Sequence, residues 1–311
     1  MKVREKVLII GYGSIGKRYH DILKTRYDVY LYDKKIKLIK LSKQKNLKNF
    51  LKLNFIKFCI ICSPPDTHFY YLNYFKKYNI PLLIEKPLIL TTQIKKLEKI
   101  INNYRNKKVA VSSNIFFDEN FYKIYRVVLK NIKNLKNIKL EFKYNLNKMV
   151  GKYSKNKYYY HDNLGGGVML DCLAHEFQIF FKIFRRPKIE FLKITKSKNK
   201  NYTKYMNLVA SFENKIKVNC EFDYGSKIRK RSIKIFFKKN KYLKYTETNK
   251  PIVKKLLTNL KNQFKLKKQN INSPYLNQLT YFEKVIAEKK VPIISLKDSL
   301  DLLKFINKLS N

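Results

Sequence analysis

Cysteine is scarce in this chain of 311 residues, which has four: Cys59, Cys62, Cys172 and Cys220. Four thiols are too few for a disulfide framework in a chain of this length. Cys59 and Cys62 form a C-x-x-C pair, but residues 58–62 read as a strand, where a spacing of three places the sulfurs on opposite faces. We therefore expect buried, reduced thiols, and we expect neither a zinc pair nor a redox pair.

Long hydrophobic runs are also missing, since no run approaches the roughly 18 apolar residues that a bilayer crossing needs. The N-terminus lacks the apolar core and cleavage site of a leader peptide, because Arg4, Glu5 and Lys6 are followed by a short strand and then by glycines. We expect a soluble, cytoplasmic protein without a membrane partner.

Acidic residues are few, with 22 Asp and Glu against 69 Lys and Arg, and the formal net charge is +47. Such an excess by itself indicates nucleic acid or an anionic surface as a partner. The lysines are, however, spread through every segment among Asn, Ile, Tyr and Phe, and they form no basic tail or helix stripe. Drift toward AT-rich codons explains this distribution better, so we do not expect a nucleic-acid partner.

The stretch V-L-I-I-G-Y-G-S-I-G, residues 7–16, joins an apolar run to glycines at the Gly-x-Gly-x-x-Gly spacing. It predicts a buried strand that enters a helix through a phosphate-binding turn. Gly11 permits the tight bend, Gly13 lets backbone N–H groups approach a pyrophosphate, and Gly16 lets the helix pack against the strand. Asp33 ends a second predicted strand at the distance expected of a ribose-binding carboxylate, so we predict dinucleotide binding.

Strands and helices alternate over about the first 115 residues, which is typical of an α/β fold with a doubly wound parallel sheet. Predicted strands cover 7–10, 28–33, 55–62, 81–85 and 108–113, and predicted helices cover 14–27, 34–45, 91–104 and a segment capped by Asp66 or Thr67. Period-two stretches over 189–245 predict a mostly antiparallel second sheet, with helices at 119–131, 168–184, 274–288 and 296–309. We place the domains at 1–117 and 118–311, and leave open that the last helices pack back on the first domain.

Candidate chemical groups follow the predicted strands of the first domain. Pro64, the run Glu85-Lys86-Pro87 and Asn114 fall at carboxyl ends of strands, where open α/β sheets bind ligands. Lys86 would then point into the cofactor crevice, and the alternative is an ordinary surface lysine.

A second group is Asp171-x-x-x-His175, whose members share a helix face. An Asp beside a His orients the ring and raises its basicity, which suits a proton acceptor. The alternatives are a pair satisfied within the core, or two metal ligands that lack a third. His161 and Asp162 in the preceding loop could complete a site, and Tyr160 could stack on a sugar or simply pack.

Taken together, these motifs resemble the Gfo/Idh/MocA oxidoreductases. The resemblance rests on the glycine turn, Ser63-Pro64-Pro65 with His68, Glu85-Lys86-Pro87, Asn114, the run Gly165-Gly166-Gly167-Val168-Met169-Leu170-Asp171-x-x-x-His175, and the closing run 295–300. It implies an N-terminal Rossmann domain and a C-terminal α+β domain with an open, mostly antiparallel sheet that often mediates oligomers. It also implies NAD(P)-dependent oxidation or reduction of sugars, polyols or nucleotide-linked sugars, and we expect a homodimer or homotetramer.

The resemblance also assigns residue roles. The implied catalytic residues are Lys86, His175 and Asp171, with the choice of base between Lys86 and His175 left open. The implied cofactor-binding residues are Gly11, Gly13, Ser14, Ile15, Gly16, Asp33, Ser63, Pro64, His68, Glu85 and Lys86. The implied substrate-binding residues are Asn114, Tyr160, Asp171 and His175, and no metal is expected.

Several features bear on specificity. Asp33 favours NAD over NADP, although Lys34 and Lys35 beside it weaken that preference. The family's frequent Asn-x-Arg-Phe is Asn114-Ile115-Phe116-Phe117 here, and Gln178 replaces a frequent acid, so the substrate is less defined than the cofactor. The form of the glycine run is closest to members from glycan pathways, which favours an amino or nucleotide-activated sugar. The competing hypothesis is a cofactor-binding sensor or assembly protein with eroded catalysis.

Overall fold

The computed structural model describes residues 4–33, 47–150, 158–185, 187–199, 201–212, 215–248, 253–258, 270–288 and 290–310. The chain forms two compact units, Met1–Phe117 with Asn270–Lys304, and Asp118–Gln269 with Phe305–Asn311. The predicted helix at 34–45 lies outside the described residues. Among the residues that the structure describes, no helix has both the length and the apolar character that a membrane crossing needs.

The described strands and helices alternate at first and then separate into a sheet-rich region. In chain order they are β1 Lys6–Ile10, α1 Ser14–Leu23, β2 Asp28–Tyr32, α2 Leu47–Leu53, β3 Ile56–Ile61, α3 Pro65–Phe75, β4 Leu82–Ile84, α4 Ile94–Ile100, β5 Val109–Val111, α5 Glu119–Lys130, β6 Leu135–Asn145, α6 Leu146–Val150, α7 Gly167–Cys172, α8 Gln178–Phe184, β7 Lys188–Lys196, β8 Thr203–Ser211, β9 Lys217–Asp223, β10 Gly225–Phe237, β11 Tyr242–Thr248, β12 Val253–Thr258, α9 Ser273–Ala287 and α10 Leu296–Ser310.

The first unit contains a five-stranded parallel sheet in the order β2–β1–β3–β4–β5. Its interior strand β1 is almost fully buried, which explains why its sequence is apolar without alternation. Tyr19 of α1 and Leu279 and Phe282 of α9 belong to the same core. The predicted doubly wound parallel fold is confirmed. One predicted boundary is wrong: α3 begins at Pro65, ahead of the expected caps, because the fixed φ of proline suits a first helical turn.

The second unit contains a seven-stranded sheet in the order β12–β11–β10–β6–β9–β8–β7. Every pairing is antiparallel except that of β6 with β9. Alternate residues such as Ile138, Leu140, Ile233 and Ile235 are buried, as the period of a strand requires. The prediction of a mostly antiparallel second sheet is therefore confirmed.

The helical run of the second unit departs from the prediction of one helix over 168–184. It consists of α7, a π-helical turn at Leu173–Phe177 and α8. A π-helical turn inserts an extra residue into the hydrogen-bond ladder, and such insertions are frequent at functional sites. Propensity and apolar spacing do not distinguish it from a continuous α-helix, so it could not be predicted from the sequence pattern.

Candidate functional site

The strand order of the parallel sheet reverses at β1, which has β2 on one side and β3 on the other. The segments that follow β1 and β3 meet there. Gly11 has φ +89°, and a Cβ on it would lie 2.5 Å from the backbone nitrogen of Ser63. Only glycine tolerates both the left-handed conformation and this approach. Open α/β sheets bind ligands in the crevice at such a reversal.

The other two glycines of the turn have different surroundings. A Cβ on Gly16 would overlap the carbonyl oxygen of Gly11, so packing within the turn requires glycine there. Among the described residues, nothing lies within 4 Å of a Cβ on Gly13, whose φ of −73° suits any residue. The fold alone therefore does not explain glycine at position 13. A ligand that approaches the backbone at the start of α1 does explain it, and the exposed N–H groups and helix dipole there favour an anion.

Asp33 lies beside this turn. Its Oδ2 accepts the backbone N–H of Tyr12 at 2.7 Å, and the N–H of Gly11 donates to the carbonyl of Tyr32 at 2.8 Å. The carboxylate is thus fixed next to the glycine turn, where it suits the two hydroxyls of a ribose and opposes a 2′-phosphate. Lys34 and Lys35 lie outside the described residues. The anion-binding helix end, the open space at Gly13 and this carboxylate together fit a nicotinamide dinucleotide.

His68 joins the segment after β3 to the segment after β4. Its buried ring places Nε2 2.7 Å from the carbonyl oxygen of Ser63, and Nδ1 3.1 Å from those of Pro87 and Leu88. Burial lowers the pKa of His68, although these carbonyls oppose the effect. His68 therefore supports the predicted cofactor site by holding two of its segments together.

Glu85 and Lys86 directly follow β4. The hydroxyl of Tyr19 donates to Oε1 of Glu85 at 2.8 Å. Burial raises the pKa of Glu85, while hydrogen bonds from Tyr19 and Ser112 and the charge of Lys86 oppose the rise. Burial, and then Glu85, raise the pKa of Tyr19 well above its usual range, so this hydroxyl stays protonated and donates. The residue that precedes Lys86 is thus held to α1 by the Tyr19 hydroxyl.

The structure brings most predicted site residues together in segments that leave one edge of the parallel sheet. These are Gly11, Gly13, Ser14, Ile15, Gly16, Asp33, Ser63, Pro64, His68, Glu85, Lys86 and Asn114. Tyr160, Asp171 and His175 belong to the second unit.

Asp171 and His175 lie in the helical run of the second unit, with His175 at the middle of the π-helical turn. The buried Asp171 accepts the hydroxyl of Tyr224, a residue between β9 and β10, at 2.5 Å. Burial, followed by the charge of Asp171, raises the pKa of Tyr224 well above its usual range. Tyr224 therefore stays a hydrogen-bond donor that fixes the Asp171 carboxylate.

Glu176 adjoins His175 and is held by an ion pair. Its Oε1 lies 2.6 Å from Nη2 of Arg231 on β10, and its side chain is only 4% exposed. The Arg231 guanidinium also lies over the ring of Phe142, 5.0 Å from the centroid. The π-helical turn is thus fastened to the sheet one residue from the candidate catalytic histidine.

Asp162, in the loop before α7, makes contacts that give it a structural role, which is an alternative to its predicted role in a site. The Asp162 carboxylate accepts the N–H and the hydroxyl of Thr203, each at 2.8 Å, and pairs with Lys196. Gly167 has φ +72°, and a Cβ on it would overlap this carboxylate. Asp162 therefore anchors the glycine run to β8.

Tyr160 is partly buried in a short 3₁₀ turn, Tyr158–Tyr160. Its hydroxyl donates to Oδ1 of Asn147 at 2.8 Å, and its ring contacts that of Tyr202 edge-on at 5.7 Å between centroids. These contacts are compatible with packing as well as with sugar binding, so its substrate role stays a prediction.

Sequence reasoning missed the residues that hold these groups in place, namely Tyr19, Tyr224 and Arg231. Tyr19 carried the only signal, since it lies on the predicted apolar side of α1 while bearing a hydroxyl that needs a buried partner. The others act across long sequence separations, which single-sequence patterns do not reveal.

Within the described part of the chain, no group of three or more His, Cys, Asp or Glu side chains is arranged to hold a metal ion. The four cysteines are free thiols. Burial raises the pKa of Cys59, Cys62 and Cys220 well above the usual range, which keeps these thiols protonated.

Comparison with known proteins gives one family match. Residues 5–115 match a family model described as the Gfo/Idh/MocA "Oxidoreductase family, NAD-binding Rossmann fold". No curated protein matches the chain significantly.

Solved structures share the fold of the chain at low identity. GenD2 from gentamicin A biosynthesis, in complex with NAD, is 13% identical with a TM-score of 0.74, over 99% of this chain and 93% of GenD2. A myo-inositol dehydrogenase from Corynebacterium glutamicum is 15% identical with a TM-score of 0.69, over 98% and 95%. The UDP-N-acetylglucosamine 3-dehydrogenase GnnA from Acidithiobacillus ferrooxidans is 11% identical with a TM-score of 0.70, over 98% and 96%.

Proposed function

We propose that this chain transfers a hydride between a nicotinamide cofactor and a hydroxyl or keto carbon of a sugar or nucleotide-linked sugar, because residues 5–115 match the model of the Gfo/Idh/MocA family of NAD-binding oxidoreductases. The observation that supports this most is the open space at Gly13 beside the anchored carboxylate of Asp33. We propose NAD as the preferred cofactor, with NADP as the alternative.

The substrate class is supported by chemistry and by the relatives. GnnA is named as a UDP-N-acetylglucosamine 3-dehydrogenase, and GenD2 is named as a protein of gentamicin A biosynthesis. The net charge of +47 attracts anionic ligands, and a nucleotide-linked sugar carries its charge on the diphosphate. A UDP-linked sugar is therefore the first substrate class to test.

The chain's own residues supply proton transfer and alignment. The bound cofactor supplies or accepts the hydride. In the oxidation direction, the substrate hydroxyl loses its proton to Nζ of Lys86 or to the imidazole of His175, and the same group returns it in reduction. Asp171, fixed by Tyr224, is proposed to bind a substrate hydroxyl or to orient His175. We also propose a homodimer or homotetramer, which light scattering of the purified protein checks.

The activity test is a panel of UDP-sugars, free sugars and polyols with NAD and NADP, followed at the absorbance of the reduced nicotinamide. Lys86→Ala and His175→Ala are compared with Lys95→Ala, whose lysine is exposed on α4. Loss of a general acid–base group lowers kcat by about 10²- to 10⁴-fold. We expect losses of this size in the first two variants, unchanged NADH affinity in His175→Ala and Lys95→Ala, and wild-type turnover in the control.

Two results would count against the proposal. Turnover that survives both substitutions removes the assigned roles. A wild-type protein that binds NADH but turns over nothing on the panel favours the competing hypothesis of a cofactor-binding sensor or assembly protein.

A further inference from the structure

Helix α9 places a buried amide, that of Gln278, in the interior of the first unit, where it is 2% exposed. Its Oε1 accepts the backbone N–H of Ser113 at 2.8 Å. Because a backbone N–H only donates, this bond fixes which end of the amide faces Ser113. The Nε2 end then donates to the hydroxyl oxygens of Tyr19 at 2.7 Å and Ser112 at 3.1 Å.

The direction of the next hydrogen bond follows from this orientation. A tyrosine hydroxyl carries one hydrogen, and the oxygen of Tyr19 already accepts from Gln278. That hydrogen is therefore directed to Oε1 of Glu85, 2.8 Å away. The hydrogen bonds run one way, from α9 through α1 to the segment after β4, which carries Lys86.

We propose that Gln278 is a positioning residue, which directs the Tyr19 hydroxyl onto the Glu85 carboxylate and thereby fixes the segment that carries Lys86. Its effect on turnover rests on the proposed role of Lys86, whereas the hydrogen-bond direction itself is testable without turnover. Gln278 acts through Tyr19 and Glu85, so it is not itself a catalytic residue.

Ionised Glu85 is the form that needs these donors. The titratable groups that face it are Tyr19 of α1, Lys86, Cys62 at the end of β3 and Tyr275 of α9. Burial raises the pKa of Glu85, so folding stability falls as the pH rises from the ordinary carboxyl value through the raised one. Loss of the Tyr19 donor raises this pKa further, and the loss of stability then extends to higher pH.

The test compares the pH dependence of urea unfolding between pH 5 and 8. The variants are Gln278→Met, Gln278→Glu and Tyr19→Phe, and the control is Asn277→Ala, whose amide on the same helix donates instead to the carbonyl of Phe117 at 3.2 Å. We expect Tyr19→Phe to raise the pKa of Glu85 by about one to two units. Gln278→Met should raise this pKa by less. In both variants the loss of unfolding free energy relative to wild type should grow with pH, whereas in the control it should stay constant.

Gln278→Glu separates hydrogen-bond direction from packing, because it preserves the shape of the side chain. At pH 5 the protonated carboxyl can still donate to Tyr19, so this variant should resemble wild type. At pH 8 the introduced carboxylate competes for the Tyr19 hydrogen and repels Glu85, so its deficit should exceed that of Gln278→Met. A deficit that is independent of pH in all variants overturns the proposal. Tyr19→Phe keeps the test decisive if the Gln278 variants fail to fold.

Turnover measurements then test the link to Lys86. These measurements use a UDP-sugar that the wild type converts. Gln278→Met should move the acidic limb of the pH profile of kcat to higher pH, by the same amount as it moves the pH profile of unfolding. KM should be unchanged. An unshifted kcat profile beside a shifted unfolding profile overturns the role toward Lys86. A wild type that is inert on the panel contradicts the proposed function, while the unfolding series still decides the direction of the hydrogen bonds.

Discussion

Substitution of Gly13 should separate cofactor binding from folding. Valine at this position meets no described atom within 4 Å of its Cβ, and the backbone there has φ −73°. The folding free energy should therefore change by no more than about 0.5 kcal/mol. The new side chain instead fills the space through which a pyrophosphate reaches the N–H groups of α1. Each hydrogen bond to a charged group contributes about 1.5–3 kcal/mol, so losing one weakens NADH binding by about 10- to 150-fold.

Gly16→Ala is the matched comparison within the same turn. Its Cβ would overlap the carbonyl oxygen of Gly11, so the start of α1 must shift away from the turn. Overpacking of this kind costs about 1–3 kcal/mol. Urea unfolding measures the stability of both variants, and NADH fluorescence titration measures their affinity.

The two substitutions should affect different properties of the protein, NADH binding in one and stability in the other. Gly13→Val should unfold like the wild type and bind NADH poorly, whereas Gly16→Ala should unfold at a lower urea concentration. The reasoning is wrong if Gly13→Val is as unstable as Gly16→Ala, since the glycine would then serve packing. It is equally wrong if Gly13→Val retains wild-type NADH affinity, since no ligand would then occupy that space.

Three further outcomes follow from the described contacts. Asp33→Ser should narrow the preference for NADH over NADPH, because it removes the carboxylate that opposes a 2′-phosphate; paired fluorescence titrations measure the ratio, and an unchanged ratio contradicts the assignment. Arg231→Met should cost about 3–5 kcal/mol in urea unfolding by leaving Glu176 buried without its cation, and Glu176→Gln in the same background should recover part of that loss. Asp162→Ala should lower the unfolding free energy by about 3 kcal/mol, because Thr203 loses two charge-assisted hydrogen bonds; an equal loss in a Thr203→Val background, which lacks the hydroxyl bond, would refute the contribution of that bond.

Local chemistry made the first unit predictable. A strand covered on both faces must be apolar throughout, and the turn after β1 must contain glycine where φ is +89° at Gly11. Both requirements concern residues that are consecutive in the chain, so a sequence pattern reveals them. Gly11, Ser63 and Lys86 lie in the segments that follow β1, β3 and β4. Because parallel strands share their direction, these segments leave the same edge of the sheet.

The second unit was predictable only in outline. Period-two stretches indicated its sheet, but the π-helical turn at Leu173–Phe177 leaves no mark on apolar spacing. The spacing of Asp171 and His175 suggested a pair on one α-helical face. One contact of Asp171 that the spacing did not indicate is a hydrogen bond from Tyr224, whose position depends on how β9 and β10 lie against α7. Partners of this kind are set by tertiary packing.

Both candidate proton acceptors, Lys86 and His175, adjoin a glutamate that a distant element holds. Glu85 precedes Lys86 and is held by Tyr19, and Glu176 follows His175 and is held by Arg231. A buried carboxylate is costly without a donor or a cation, so each glutamate is confined to the place where its partner lies. The main chain beside each candidate is then fixed as well. Sequence motifs suggest which side chain to test for reactivity, and the glutamate beside it shows where the fold must supply a partner.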